Sequence, residues 1–565
     1  MLNEKNLKWI KTGLFLLICV VSFVLCFNKI GLEKRPSQGY DEEMWTGAGI
    51  TSYNMYFKNY MRKDVKLDSW FVTYALKNGI DTATIPPAQK QWFDHATWTF
   101  GWKAPNMGKY IIGAWVTAFA NQSPDPAGYF EYKNRYKNDE PTTVTFCYVP
   151  FEFVGIARVP MAIMTALIII ITFLTGWLFI NYITGLVASL YLLLNSNFLD
   201  VNTAVGLDAP SIFFTSLSIL LLLLWIQSLL KQEKIGITIM WAAFTGLSFG
   251  FAVSSKLNAA LFGYMLVPVF IILLFSIVKH LRQGGKILDK KTQKPGDENF
   301  VQRKSNFKKQ ALAFMTSGLL IGGLGPFVFV QLNPQVHGDT MAYVKTIRES
   351  VDAYFTRRAN DQKNKFVLKS EAGTIYGYAG PGDNYPIIDT LVTKVSFSKL
   401  ENARQGKWQG INNSKSGKSS FVLFDKLEPA NEVTKGDNAK TFQLLLKRNF
   451  WVSSPDRYYG TIGSLIPFKG NPIDGVLVIA GLLLLLVKAY KDFMAGGKIS
   501  GALVSIVAFV VLFWGNMNFI WIDFGRYHMP IYPAMAILAG FTISMIADGI
   551  NKKFILKNQS GSPQK

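Results

Sequence analysis

Long apolar runs separated by short polar breaks dominate the chain. Read with a window of about 20 residues, the length a helix needs to cross a hydrocarbon core, they predict spans near 10–28, 156–178, 181–198, 209–230, 236–255, 258–279, 311–332, 473–489, 500–520 and 529–548. Two stretches break this rhythm. Residues 29–155 and 333–472 are polar, aromatic in places and far longer than an ordinary connection. Inside the first, residues 107–120 (MGKYIIGAWVTAFA) are apolar but too short to span. They are read as an interfacial or half-inserted helix, and with a helix predicted over 41–62 they form a structured shelf. The second stretch is read as a small lid-like domain.

Charge then assigns sides. Lys5, Lys8 and Lys11 precede the first run, which is read as an uncleaved first helix with its N-terminus in the cytoplasm. With that start, 29–155 and 333–472 lie outside. The basic linkers at Lys231 to Lys234, at 280–310 and around Lys488, and the Lys552-Lys553 tail, fall inside. Counting 107–120 as a span would put the 280–310 linker outside, against its charge. The composition agrees: 50% of residues are hydrophobic and only 17% charged, which describes a polytopic membrane protein and excludes a large soluble enzyme. The net charge of +22 is therefore read as orientation and contact with anionic lipid, and no nucleic-acid partner is expected. Cys19, Cys26 and Cys147 make no disulfide framework, and His95, His280, His337 and His528 lack ligand-like spacing, so no metal is expected.

This topology gathers polar groups at the outer ends of the spans. Gly39-Tyr40-Asp41-Glu42-Glu43 follows the first span; Lys103 and Lys109 flank the shelf; Arg158 opens the second span; Asp208 opens the fourth; Lys256 closes the fifth; Arg526 precedes the last. Each has a plain alternative. Asp41 could N-cap a helix beginning near Glu42, Asp208 could cap its own helix, and Arg158, Lys256 and Arg526 could snorkel to headgroups. Their shared side and depth are less well explained one residue at a time. Together they suit chemistry on an anionic, lipid-linked substrate: cations hold a phosphate and stabilise it as it leaves, while a carboxylate deprotonates an acceptor.

The short motifs around these residues follow a recognisable order. Asp41-Glu42 opens the first outer loop, and Trp92-Phe93-Asp94-His95 precedes Lys103-Ala104-Pro105-Asn106-Met107-Gly108-Lys109. Arg158-Val159-Pro160, Leu207-Asp208-Ala209-Pro210, Gly246-Leu247 with Gly250 and Lys256, and Arg526-Tyr527-His528-Met529-Pro530 follow. The set resembles the GT-C-fold glycosyltransferases, close to the dolichyl-phosphate-mannose protein mannosyltransferases and the bacterial aminoarabinose transferases. Ala104 and Asn106-Met107 stand where that family has Pro and Leu.

The resemblance implies an α-helical polytopic membrane protein of GT-C-like fold. It would have about 10 spans, interfacial helices in the first outer loop and a mixed α/β or irregular outer domain. Three regions follow: 1–332, a transmembrane module whose first outer loop, 29–155, is catalytic; 333–472, the outer domain; and 473–565, the last helices with a short cytoplasmic tail. It implies an inverting glycosyltransferase that moves a sugar from a polyprenyl-phosphate donor to a protein, lipid or glycan acceptor outside the cytoplasm, with no metal cofactor. Asp41 would be the general base and Glu42 its support. Lys103, Lys109, Arg158, Lys256 and Arg526 would hold the donor phosphate, and Asp208, Tyr527 and His528 would be possible substrate contacts. The alternatives are a transporter or flippase for a polyprenyl-linked substrate, or a surface-glycan ligase or polymerase. The 333–472 region resembles nothing that indicates the acceptor.

Overall fold

The computed structural model describes residues 4–31, 39–54, 57, 104–121, 130–137, 140–147, 149–231, 233–263, 265–275, 298–333, 336, 341, 365–369, 374–391, 396–413, 418–429, 473–494, 505–510 and 530–560. The chain divides into two compact units. One joins Met1–His337 to Arg448–Lys565, and the other is Gly338–Lys447.

The first unit is a helical bundle. Its elements are α1 (Glu4–Phe27), α2 (Gly39–Tyr53), α3 (Met107–Phe119), the strands β1 (Phe130–Lys137) and β2 (Glu140–Cys147), α4 (Phe151–Phe179), α5 (Tyr182–Leu193), α6 (Ser196–Thr203), α7 (Asp208–Lys231), α8 (Ile235–Ser255), α9 (Leu257–Phe275), α10 (Glu298–Leu332), α11 (Ile473–Met494) and α12 (Tyr532–Ser560). Among the described residues, seven helices are long and apolar enough to cross a membrane, or eight if α5 and α6 form one broken span. Large apolar side chains stand exposed on their outer faces, among them Trp9, Val20, Phe275, Leu319 and Phe327. A soluble protein would not leave so much apolar surface uncovered, whereas lipid covers it without cost. The bundle is thus an α-helical polytopic membrane protein, as its hydropathy predicts.

Three expectations need correction. The span predicted over 181–198 is not one helix: α5 and α6 meet at 69°. Asn195 causes the break, since its extended backbone ends α5 and its side chain accepts the Phe198 N–H at 2.8 Å to start α6. The basic 280–310 linker is partly helical, because α10 begins at Glu298. The shelf helix starts at Gly39, so Asp41 lies in its first turn and is not its N-cap. The end predicted for that helix, near 62, lies outside the described residues, as does most of the 500–520 span, of which 505–510 are helical.

The antiparallel hairpin β1–β2, pairing Phe130 with Cys147 and Lys137 with Glu140, was not expected. Its sequence alternates in β1 and carries Thr142, Thr143, Val144 and Thr145 in β2, a β-branched run that favours strands. The helix α3 forms over the short apolar run, and α2 crosses it at a glycine contact. A Cβ on Gly113 would stand 2.1 Å from the Gly49 carbonyl oxygen, so the two backbones touch there only because neither residue has a side chain.

The helix ends sort into two sets. Lys29 pairs with Asp200 at 2.7 Å, Phe198 stacks on Tyr532, and Asn333 bonds Asn106, which brings together the ends of α1, α6, α10 and α12 with the start of α3. At the opposite end, the Tyr182 hydroxyl donates to the Lys11 carbonyl, Asn181 bonds Ser544 and Ser228 bonds Thr238. Lys8, Lys11, Lys231 and Lys234 belong to this second end.

The second unit contains an antiparallel sheet of β3 (Lys365–Leu368), β4 (Ile375–Tyr378), β5 (Ile387–Leu391), β6 (Ser396–Gln405), β7 (Trp408–Asn413), β8 (Lys418–Leu423) and β9 (Leu427–Pro429). Their order is β5-β4-β8-β7-β6-β3-β9. Leu368, Leu391, Phe397, Ile411, Val422 and Leu427 form its small core.

Candidate functional site

The site is built around the turn from Ala204 to Asp208, between α6 and α7. Four helices reach it. The Val205 N–H donates to Glu42 of α2 at 2.9 Å, and Trp45, one helical turn further along α2, lies against Gly206. Gly108 of α3 abuts Leu207 so closely that a Cβ there would meet its side chain at 2.7 Å. Asp208, the first residue of α7, forms an ion pair with Lys256 at the end of α8.

Glu42 is buried and accepts three hydrogen bonds. Its carboxylate accepts from Arg158 Nε at 2.9 Å and Nη2 at 2.7 Å as well as from Val205. This is the bidentate fork in which a planar guanidinium matches a carboxylate. Arg158 Nη1 donates to the Ile30 carbonyl at 3.0 Å, and the Phe151 ring lies 5.6 Å from its cation. Both side chains are nearly sealed, with 2% and 4% of their surface exposed. Arg158 therefore anchors α2 to α4 and to the end of α1. Neighbouring Glu43 is only partly covered, and its carboxyl is held above the usual range first by burial and then by the charge of Glu42.

The second pair is more open, with Lys256 at 18% and Asp208 at 12% side-chain exposure. Lys256 is the single extended residue between α8 and α9: its N–H donates to the Ala252 carbonyl, and its carbonyl accepts from Ala259. That break aims the side chain at the 204–208 turn. Lys109, in the first turn of α3, is fully buried and donates to the Ala104 carbonyl at 2.8 Å. Burial lowers its pKa to about 7, because the ammonium has left water for the interior of the shelf.

The structure thus brings Glu42, Lys109, Arg158, Asp208 and Lys256 to one end of the bundle. Asp41 precedes Glu42 in the first turn of α2, and its side chain lies outside the described residues, as do Lys103, Arg526, Tyr527 and His528. Sequence reasoning missed the partners that hold the site: the Ile30 carbonyl, the Val205 N–H and Asn333. Backbone groups leave no mark in a sequence. Asn333, a buried polar residue at the end of an apolar span, did leave one. Among the described residues no three His, Cys, Asp or Glu gather as a metal site would require.

Fold and site together define a multi-pass membrane protein with acid–base pairs at one end of its helices. The sequence model of the dolichyl-phosphate-mannose-protein mannosyltransferase family matches residues 100–294. That range includes Lys103, Lys109, Arg158, Asp208 and Lys256 and leaves out Asp41 and Glu42. No curated protein sequence matches the chain.

Solved structures are similar at low identity. The oligosaccharyltransferase AglB of Archaeoglobus fulgidus, in complex with an inhibitory peptide and a dolichol-phosphate, is 11% identical with a TM-score of 0.42; the alignment covers 99% of this chain and 53% of that one. The apo form of the Archaeoglobus fulgidus oligosaccharyltransferase gives 12%, 0.44, 99% and 53%. The S. cerevisiae protein O-mannosyltransferase Pmt1-Pmt2 complex bound to the sugar donor gives 10%, 0.41, 96% and 85%. The chain spans about half the length of the archaeal structures.

Proposed function

We propose that the protein is an integral-membrane glycosyltransferase that moves a sugar from a polyprenyl-phosphate carrier to an acceptor, with inversion at the anomeric carbon. The observation that carries this reading is the convergence of Glu42, Lys109, Arg158, Asp208 and Lys256 around the 204–208 turn, most of them within the span of the mannosyltransferase family match. Asp41 is the general base. It takes the proton from the acceptor hydroxyl or amine as that atom bonds the anomeric carbon, the sugar–phosphate C–O bond breaks, and the polyprenyl phosphate leaves with the electron pair. Lys256, with Lys103, Lys109 and Arg526, meets the phosphate oxygens and stabilises their growing charge. Arg158 acts through Glu42, fixing the first turn of α2 and with it Asp41. Asp208 holds Lys256 until the phosphate shares it, and Tyr527 and His528 contact the substrate. The reaction needs no metal. The N-terminus lies in the cytoplasm and the site faces the other side of the membrane, which agrees with the cluster of lysines at the far end of the bundle. A transporter would favour charges near the bilayer midplane, whereas these sit at helix ends.

Sugar transfer from a radiolabelled polyprenyl-phosphate donor, in membranes carrying wild type or Asp41→Asn, tests the reading. The variant keeps the shape of the side chain and removes the base, so transfer is expected to fall on the order of a hundredfold or more with normal membrane insertion. Undiminished transfer would remove Asp41 from the chemistry. No transfer by wild type from any of several sugars would sink the glycosyltransferase reading itself.

A further inference from the structure

Asn333 follows the last residue of α10, has no exposed surface, and lies outside the 100–294 family match. Its side chain uses both of its polar atoms. Oδ1 accepts the Asn106 N–H at 2.9 Å, just before α3, while Nδ2 donates to the Phe329 carbonyl at 2.6 Å and to Ser254 Oγ at 3.4 Å. A second bond reinforces the first: the Tyr110 hydroxyl of α3 donates to the Leu332 carbonyl at 3.0 Å.

These contacts connect two cations of the site. Asn106 belongs to the 104–109 turn, which Lys109 closes on itself through the Ala104 carbonyl. Ser254 stands two residues before Lys256, in the last turn of α8. We infer that Asn333 is a positioning residue that sets the Lys109 turn and the Lys256 end of α8 at a fixed spacing, so that both cations can meet one phosphate. This rests on the glycosyltransferase reading for its ligand, although the clasp itself is a matter of geometry. An amide suits the task because one flat group accepts from one neighbour and donates to two others. Its burial makes the bonds costly to lose, since no water stands by to replace them. Binding one anion through two cations is sensitive to their separation, and a misplacement of about 1 Å weakens it severely.

The test is donor and acceptor kinetics of full-length wild type, Asn333→Ala and Asn333→Asp in membranes. Asn333→Ala is expected to raise the donor KM about tenfold while the acceptor KM stays within about twofold. Asn333→Asp keeps an oxygen for the Asn106 N–H but loses both donated bonds and buries a carboxylate against the Phe329 carbonyl, so its donor KM should rise at least as far. An unchanged donor KM, or equal losses in both variants confined to kcat, would overturn the assignment. Should Asn333→Ala fail to insert, Tyr110→Phe carries the same test, with an expected rise of about threefold for its single lost bond. If wild type transfers no sugar, the functional reading fails first and hydrogen exchange decides the clasp. Faster exchange in 104–110 and 252–256 on loss of the Asn333 amide upholds it, and unchanged exchange there overturns it.

Discussion

The Glu42–Arg158 and Asp208–Lys256 pairs join like residues at the same short turn, yet they are built for different work. The first is sealed: four hydrogen bonds hold the carboxylate and the guanidinium against named partners. The second keeps part of its surface open and places a flexible ammonium at a break between helices. A guanidinium that has lost its water and is held by a carboxylate fork is costly to free for a substrate. A lysine that keeps part of its water contact exchanges a carboxylate for a phosphate at lower cost than a sealed guanidinium does. Burial and partners, more than residue type, distinguish the two pairs.

Breaking the sealed pair gives the largest expected effect. Arg158→Met removes the cation and leaves the Glu42 carboxylate buried beside an apolar chain, a change that costs about 3–5 kcal/mol in comparable buried pairs. Thermal unfolding in detergent should show the loss, and the remaining folded protein should bind donor with little change. Normal stability together with a large rise in donor KM would reverse the comparison and make Arg158 a phosphate ligand. Lys256→Met should behave in the opposite way. Its pair is less tightly enclosed than the first, so unfolding should move less than in Arg158→Met, while the donor KM rises about tenfold for one lost charged contact. A destabilisation as large as that of Arg158→Met would show that the open pair is a strut as well.

The sequence made the ends of the helices legible and left their pairings hidden. Hydropathy located seven spans among the described residues, and Asp208 and Lys256 fell at helix ends as expected, whereas Arg158 lies two turns inside α4. Which base meets which acid depends on helix rotation, a few tens of degrees that no single sequence encodes. Arg158 and Lys256 consequently read as equivalent phosphate ligands. The bend at Asn195 escaped for a related reason. A window that averages about 20 residues cannot register one side chain that caps a new helix, and Tyr191-Leu192-Leu193-Leu194 on one side outweighs it. The hairpin β1–β2 carried a strand signal that the search for apolar helices passed over.

Lys109 sharpens the comparison from a third position, being sealed like Arg158 and donating to the Ala104 carbonyl. Its pKa of about 7, against an ordinary 10.5, gives two trends of opposite sign. Below about pH 7 both the native and the unfolded chain hold the proton, and the burial penalty is felt in full. Between about 7 and 10.5 the unfolded chain binds one more proton here than the native one, so stability rises with pH. Donor binding moves the other way. The ammonium that would meet the phosphate is lost as pH rises through 7, so the donor KM should climb by up to about tenfold per unit over the next unit or so. The phosphodiester of the donor does not titrate in this range and adds no slope of its own, and the Lys109→Met variant separates the lysine from His528. Donor KM measured between about pH 6 and 9 should therefore bend upward near 7 in wild type and run flat in Lys109→Met. Parallel curves would mean that Lys109 stays out of the phosphate's reach, and burial would then sort all three bases in the same way.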